Sequence, residues 1–566
     1  MKILLIYPYF LEGRLSTEDI QSPPMGIFYV AAVLKAHGHE VEVLNWYDRG
    51  VPPEHIERVL REKRPQVIGF SILHANRWGG IEIARIAKGI NPQIRIVFGG
   101  VGATHLWEHF LQHFSEVEYI VLGEGENTFL KLVEQFEGRG PRDPASLPGI
   151  AFRRDGRPFR TAAVEPVRDL DALPMPASDF DFAHLSLTRG CVADCRFCGS
   201  PAFWGRRVRS HSADYFVEQL AALRRKGRRF FFVSDDTFTL NRRRVIAVCR
   251  KIIARGLDIH WAAISRVDAV DEQVLAWMRR AGCIQISYGV ESGSAEIRRR
   301  LNKAIHTEQI REAFAATQRY GIMARAYFIY GCPGESRKTI QETIDLMRTI
   351  QPLGAVFYIL DLYPGTALYE EFKRRSHATD DIWLKRVEDI MYFETDPNLS
   401  AEHIREFGRM LRESFYRHLP GFAAALDPID QREFYPLHAD FFSRLAMTFD
   451  QGDYARIDTI PDKPQLAEAL YRRALSYHPD ARAYLGLGIL KQKAGRHSEA
   501  AELLATGLEH FPEDEPLRIC QAVSLMNLDR FKEALALLER CPNQPQAQQM
   551  ALACRRAMVG RPSSHC

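Results

Sequence analysis

Short apolar runs of strand length alternate with helical stretches twice along this chain, and that alternation leaves few folds open. In the first block, residues 1–140, the strand-like runs are Lys2–Tyr7, Val41–Leu44, Val67–Ser71, Ile94–Phe98 and Tyr119–Leu122. Met25–His37, stopped by Gly38, and stretches near 54–63, 79–89, 104–114 and 126–136 carry helical spacing between them. Strand–helix alternation of this kind predicts a parallel, doubly wound, Rossmann-like sheet. Such sheets take ligands at the carboxyl ends of their strands. Ser71 and the turns Gly99-Gly100-Val101-Gly102 and Gly123-Glu124-Gly125-Glu126 fall there. Glycine lets a bulky ligand approach the backbone, although any tight strand–helix turn favours it too.

Residues 141–178 read as a linker, because seven prolines (Pro141, Pro144, Pro148, Pro158, Pro166, Pro174 and Pro176) interrupt regular structure. Within it, Gly149–Arg153 and Pro158–Thr161 flank Asp155-Gly156, the turn of a hairpin. The second block, 179–395, has six strand-like runs: Leu185–Leu187, Phe230–Val233, Ile259–Ile264, Ile284–Val290, Ala324–Tyr330 and Val356–Leu362. Residues 396–460 form a helical extension whose aromatics, such as Phe407, Phe415, Tyr416, Phe422, Phe434, Phe441 and Phe442, suit a core.

At 566 residues the chain should hold roughly three or four domains. It is 46% hydrophobic and 26% charged, and its net charge of +4 gives no electrostatic case for nucleic acid. Basic clusters such as Arg206-Arg207-Val208-Arg209 and Arg224–Arg229 read as solvated faces. No apolar run is long enough to span a bilayer. The apolar start, Met1–Pro8, reads as a buried strand rather than a secretory signal. Ten cysteines in such a chain fit a reducing cytoplasm.

Three of those cysteines share one short loop, Thr188-Arg189-Gly190-Cys191-Val192-Ala193-Asp194-Cys195-Arg196-Phe197-Cys198-Gly199. Three thiolates can hold three irons of a four-iron cluster and leave the fourth open to a ligand. A structural zinc site would want a fourth ligand at similar spacing, and the next cysteine, Cys249, stands alone in a helical stretch. A buried helical stripe is disfavoured because Gly190 and Gly199-Ser200-Pro201 leave too short a helix between them. An open iron–sulfur cluster is therefore expected, with zinc as the alternative.

Cys191, Cys195, Phe197 and Cys198 after a strand resemble the cluster loop of radical S-adenosylmethionine (SAM) enzymes. The resemblance implies a partial (β/α)6 barrel over residues 179–395, with its chemistry at the C-terminal ends of the strands. It also implies that the open iron chelates SAM and that an electron from the cluster releases a 5′-deoxyadenosyl radical. By resemblance, Asp235 and Asp236 fall where the family contacts the SAM ammonium. Glu291 and Ser292 fall near its ribose and carboxylate, and Arg266 is a carboxylate partner. Each of these could instead be a helix cap or a loop ion pair. Cys332, in Gly331-Cys332-Pro333-Gly334-Glu335, is either a participant in the chemistry or a small residue in a tight turn.

The first block resembles the cobalamin-binding domain that precedes the barrel in one large radical SAM subfamily, the branch that includes anaerobic Mg-protoporphyrin monomethyl ester cyclases. The domain order and the turns holding Gly99, Gly100, Gly123, Glu124 and Gly125 carry the likeness. The family's Asp-x-His-x-x-Gly motif is absent from Tyr7–Gly13, so a histidine below cobalt is not expected; His74 is a spare candidate. Residues 461–560 hold a 34-residue unit, Ala481–Asp514, with Tyr484, Leu487-Gly488, Ala500 and Pro512 spaced as in a tetratricopeptide repeat. Cys520, Cys541, Cys554 and Cys566 are too widely spaced for a second cluster.

The expectation is a radical SAM enzyme that, with cobalamin, methylates an unactivated carbon, or else cyclises or oxidises one. The resemblance further implies a low-potential ferredoxin or flavodoxin as electron donor and a small-molecule or carrier-bound substrate. The alternatives are a radical enzyme without functional cobalamin and an interaction or maturation protein working through the repeats. Methylthiolation is disfavoured, because that group uses N-terminal cysteines for a second cluster and none precedes Cys191.

Overall fold

The computed structural model describes residues 1–11, 23–47 and 51–559. Glu12, Gly13 and Cys566 lie outside the described residues. The chain divides into two units.

The first unit, 1–313 with 325–349 and 355–411, holds both α/β blocks. Its first sheet comprises β1 (Lys2–Tyr7), β2 (Glu40–Asn45), β3 (Val67–Ser71), β4 (Arg95–Gly99), β5 (Tyr119–Val121), β6 (Ile150–Arg154) and β7 (Arg157–Arg160), in the order 2-1-3-4-5-6-7. Strands β1 to β5 are parallel. Ile3, Leu4, Leu5, Val67, Ile68 and Ile96 are all buried, as expected of strands covered on both faces. The covering helices are α1 (Met25–Ala36), α2 (Pro53–Lys63), α3 (Arg77–Ile90), α4 (Val101–His105), α5 (Trp107–His113) and α6 (Glu126–Phe136). Winding reverses between β1 and β3, which makes the ends of those strands the natural ligand crevice.

The hairpin expected in the proline-rich segment does not stand in a free linker. Its strand β6 pairs antiparallel with β5, and β7 with β6, so the first sheet runs to Arg160 and not to residue 140. The physical reason is burial: Ile150 and Ala151 are fully buried against the sheet edge.

The second sheet holds β8 (His184–Leu185), β11 (Phe230–Val233), β12 (His260–Ser265), β13 (Cys283–Glu291), β14 (Met323–Tyr330) and β15 (Gly354–Ile359), in the order 15-14-13-12-11-8. Between β8 and β11, β9 (Thr188–Arg189) and β10 (Arg209–Ser210) make a separate antiparallel pair. A six-stranded sheet that winds in one direction brings all its carboxyl ends to one side, where barrel sites are built.

The second unit, 314–324, 350–354 and 412–566, has only helices as regular elements among its described residues past 412. Consecutive helices Lys463–Tyr477, Ala481–Lys493, His497–His510, Glu515–Asn527, Phe531–Leu538 and Pro545–Val559 pack in sequence. Small residues allow the close crossings: a Cβ on Gly488 would lie 2.7 Å from Leu504, and one on Gly507 3.0 Å from Tyr484. Phe434, Phe441 and Phe442 are buried core, as expected. Cys520, Cys541 and Cys554 are buried and free. Among the described residues no helix is long and apolar enough to cross a membrane.

Candidate active site

The cysteine loop begins where β9 ends. Gly190 there has φ +101°, and a Cβ would come within 3.3 Å of the Arg207 carbonyl, so both conformation and space require glycine. From Gly190 to Gly199 the backbone is irregular, with no helix, as the flanking glycines predict. The loop is pinned from outside: Arg196 N donates to Leu301 O (3.0 Å), Leu368 N to Arg196 O (2.9 Å), and Asn302 Nδ2 to Asp194 O (2.6 Å). Within it, Cys198 N donates to Cys195 O at 3.2 Å.

Cys191 and Cys195 are buried, Cys198 is half-buried, and none forms a disulfide. Burial pushes the Cys198 thiol up to about 12, and the other two cysteines add to the rise. Cys195 is raised by burial and by Glu291 and Cys191, and lowered by Lys303 and Arg266. Three free thiols gathered in one short loop are a donor set in want of a cation, because a metal holds such groups as thiolates. The set fits a cluster bound through three cysteines. Phe197 is half-buried and has no aromatic partner among the described residues.

The polar residues expected around SAM divide into two groups. Asp236 accepts from Ser200 Oγ at 2.6 Å and is open at its own surface, yet burial by surrounding protein raises its carboxyl. Glu291 ends β13 at φ +66°, a left-handed conformation unusual outside glycine, and pairs with Lys303 Nζ at 2.7 Å, both side chains 8% exposed. Burial opposes the Lys303 charge, but Glu291 holds its ammonium above the ordinary value. Arg266 makes a two-pronged ion pair with Asp268 at 2.9 and 2.7 Å, and its charge also reaches Cys191 and Cys195.

Asp235 and Ser292 correct the expectation. Asp235 is buried and turned back on the chain: Leu187 N donates to it at 3.0 Å, and Thr188 donates through both its N–H and its hydroxyl. Burial raises this carboxyl to about 7. Buried and accepting from Leu187 and Thr188, it braces the strand that leads into the cysteine loop. The Ser292 hydroxyl accepts from Ser294 N at 3.1 Å and bonds Thr343 Oγ1 at 3.2 Å, so it packs β13 against the helix Arg337–Ile350. Cys332 is the small residue in a tight turn. It is fully buried, and Glu335 Oε2 accepts from its N–H at 3.1 Å and from that of Gly331. Lys303 and Asn302 carry no motif in the sequence; their partners, Glu291 and the Asp194 carbonyl, lie 12 and 108 residues away.

The glycine turns of the first sheet also divide. Gly100 has φ +95° and would place a Cβ 2.8 Å from Ile72 O, and Gly102 would place one 2.4 Å from the Leu73 carbonyl carbon. These glycines seat α4 against the loop after β3. At Gly99 a Cβ would meet only ordinary contacts, at 3.8 Å or more. Gly123, φ +69°, would place its Cβ in open space, and its N–H is held by Thr104 Oγ1 at 3.0 Å. Gly125 has only Val121 and Val30 side chains near it. The Ser71 hydroxyl has no hydrogen-bond partner among the described residues. Open backbone at Gly99 and Gly123 and a spare hydroxyl at Ser71 fit a large planar cofactor at the ends of β3 to β5. His74 is not a free ligand: its Nε2 lies 2.8 Å from Asp361 Oδ2, and its ring packs on Tyr363 and Trp383.

Glu124 is the largest departure. Arg209 Nη1 donates to both its oxygens at 2.8 Å, Arg189 Nη1 donates at 2.7 Å and Val167 N at 2.7 Å. The second Arg189 prong meets Glu126 at 2.7 Å. Burial pushes the Glu124 carboxyl up, but Arg209 and Arg189 hold it below the ordinary carboxylate value. Glu124 therefore joins the last turn of the first sheet to the strand of Cys191, and does not face a cofactor.

Residues 185–347 match the radical SAM superfamily, and residues 19–133 match the B12 binding domain. The chain is 28% identical over 429 residues to an uncharacterised methyltransferase of Pyrococcus horikoshii, covering 73% of this chain and 92% of that protein. It is 28% identical over 398 residues to the anaerobic magnesium-protoporphyrin IX monomethyl ester cyclase of Rubrivivax gelatinosus, covering 67% and 71%. The solved structure of OxsB, a cobalamin-dependent S-adenosylmethionine radical enzyme, aligns with TM-score 0.54 and 17% identity over 99% of this chain and 84% of that chain. TsrM from Kitasatospora setae, a radical SAM methyltransferase with cobalamin and a four-iron cluster bound, aligns with TM-score 0.55 and 19% identity over 66% and 78%. At that identity the two structures establish likeness of fold.

Proposed function

We propose that this chain, which belongs to the B12-binding radical SAM enzymes and works with a four-iron cluster, SAM and cobalamin, transfers a methyl group to an unactivated carbon of its substrate. The observation that carries the reading is the buried Arg189–Glu124–Glu126 junction. It ties the turn after β5, in the cobalamin-side crevice, to the residue two before Cys191. A methyl donor and a hydrogen-abstracting centre can serve one carbon only if they are held at a fixed separation. The methyltransferase of P. horikoshii, of which this chain spans 92%, supports the same choice.

When bound, the cluster supplies the electron that cleaves SAM, and cobalamin carries the methyl group. The protein's residues orient and insulate. Cys191, Cys195 and Cys198 hold the cluster. Asp236, anchored by Ser200, presents a carboxylate to the SAM ammonium. Arg266 and Lys303, each already paired with a carboxylate, keep a positive field beside Cys195 that favours its thiolate. Glu291 and Phe197 stand beside the same cofactor, while Ser71, Gly99, Gly123 and Gly125 form the cobalamin cradle. Electrons come from a low-potential ferredoxin or flavodoxin.

The test is cobalamin retention by anaerobically purified, iron-reconstituted protein after incubation with hydroxocobalamin and desalting, followed by product mass. About one cobalamin per chain and a substrate gain of one methylene mass are expected. No retention with the iron–sulfur absorption intact would defeat the reading. A product that has lost two hydrogens would reassign the chain to cyclisation or oxidation.

Residues 461–560, in the same reading, are tetratricopeptide-like repeats that dock a carrier or peptide bearing the substrate; stacked helix pairs present such surfaces. A chain ending at residue 460 should then show a raised KM for substrate while uncoupled SAM cleavage stays unchanged. Equal KM values would remove the docking role.

A further inference from the structure

The helix α5 carries His109 and His113 one turn apart, and the 3-10 turn Asp380–Leu384, far along the chain, brings Asp381 against them. One ligand atom from each of the three lies within 4.8 Å of the others. His113 Nε2 is 2.8 Å from Asp381 Oδ1, and the two imidazole rings have centroids 5.1 Å apart.

His109 is the informative member. It is 3% exposed, and neither ring nitrogen has a hydrogen-bond partner. A buried imidazole without a partner is costly, and a metal on one nitrogen would remove part of that cost. The rings of Phe110 and Phe114 pack edge-on against it and exclude water from its far side. Burial pushes this imidazole down to about 4, so it is neutral and its lone pair is free. The positive charge of Arg77 reaches His109 but is spent on carbonyls of His74, Trp383, Lys385, Val387 and Glu388, and Asp380 offsets it.

We propose that His109, His113 and Asp381 bind a zinc-class divalent cation that clips the cobalamin-binding domain to the segment following the barrel. Two imidazoles and a carboxylate suit a borderline ion, and the partly exposed side chains of His113 (24%) and Asp381 (58%) leave a fourth position for water. The clip has a structural purpose. The segment after Asp381 carries Trp383, which packs on His74, and Lys385, whose carbonyl accepts from Trp78 Nε1 at 2.9 Å. A metal at Asp381 would add to the ties that Arg77, Trp78 and His74 already make to this segment, and would join residues 268 apart in sequence. The cluster cysteines play no part in it.

The test counts zinc by mass spectrometry in iron-reconstituted full-length protein that has been given one equivalent of zinc and desalted. Filling the cluster first keeps zinc from the thiols. About one zinc per chain is expected, with affinity lowered about 100-fold in His113→Gln and in Asp381→Asn, since even outer partners of a ligand are worth 10–100-fold. Both variants alter solvent-facing side chains, so folding should survive, and iron content serves as the check. Zinc should raise the thermal midpoint of the parent protein and of neither variant. Wild-type protein without zinc, or variants that keep it, would overturn the site.

Discussion

Cys195→Ala should leave a folded protein that makes less than about a hundredth of the parent's 5′-deoxyadenosine and carries little reconstituted iron. Cys195 is a buried side chain whose thiol feels Lys303, Arg266, Glu291 and Cys191 together, so it sits where the charges of the site converge. Alanine fills its space without strain and leaves the loop's external pins, at Arg196 and Asp194, in place. Loss of activity with thermal stability kept therefore reads as loss of a ligand and not of a fold. Iron quantitation and a 5′-deoxyadenosine assay check it; a variant that still cleaves SAM would refute the assignment of the three cysteines.

Arg189→Met should act in the opposite way, on the frame before the chemistry. Its guanidinium is 8% exposed and answers two carboxylates, Glu124 and Glu126, that are 8% and 3% exposed. It also lies over the rings of Tyr29 (5.0 Å) and Trp204 (5.6 Å). Methionine keeps much of the volume but strands two buried charges, of which Glu124 retains only Arg209. Removing one partner of a buried pair costs about 3–5 kcal/mol. Urea denaturation should show a loss of that order, and cobalamin retention and iron loading should fall together because one junction serves both sides. Adding Glu126→Gln should return part of the stability, as a double-mutant cycle requires of coupled neighbours. Unchanged stability in Arg189→Met would remove the junction from the argument above.

The two α/β blocks and the cysteine loop were legible because their signals are local. Strand–helix alternation appears in any window of a dozen residues, and the bounds of β1, β3 and α6 follow from it almost residue for residue. Three cysteines within eight residues, framed by glycines, constrain one another whatever the rest of the chain does. The proline-rich segment misled because proline density reports a lack of helix, while the apolar residues Ile150 and Ala151 that dock the hairpin on the first sheet are few and ordinary in composition.

By itself, then, the sequence determined which residues form the strands and which thiols share a loop, since both rest on spacing along the chain. It could not determine which carboxylates are free for a ligand. Asp235 and Asp236 are neighbours, yet one is buried and accepts from Thr188, 47 residues away, and the other is exposed and accepts from Ser200. Glu124 reads as a cradle residue until Arg189 and Arg209 are seen to take both its oxygens. Only the tertiary structure decides such cases. A side chain's hydrogen-bonding capacity is finite, and the groups that exhaust it here come from distant segments that only folding brings into contact.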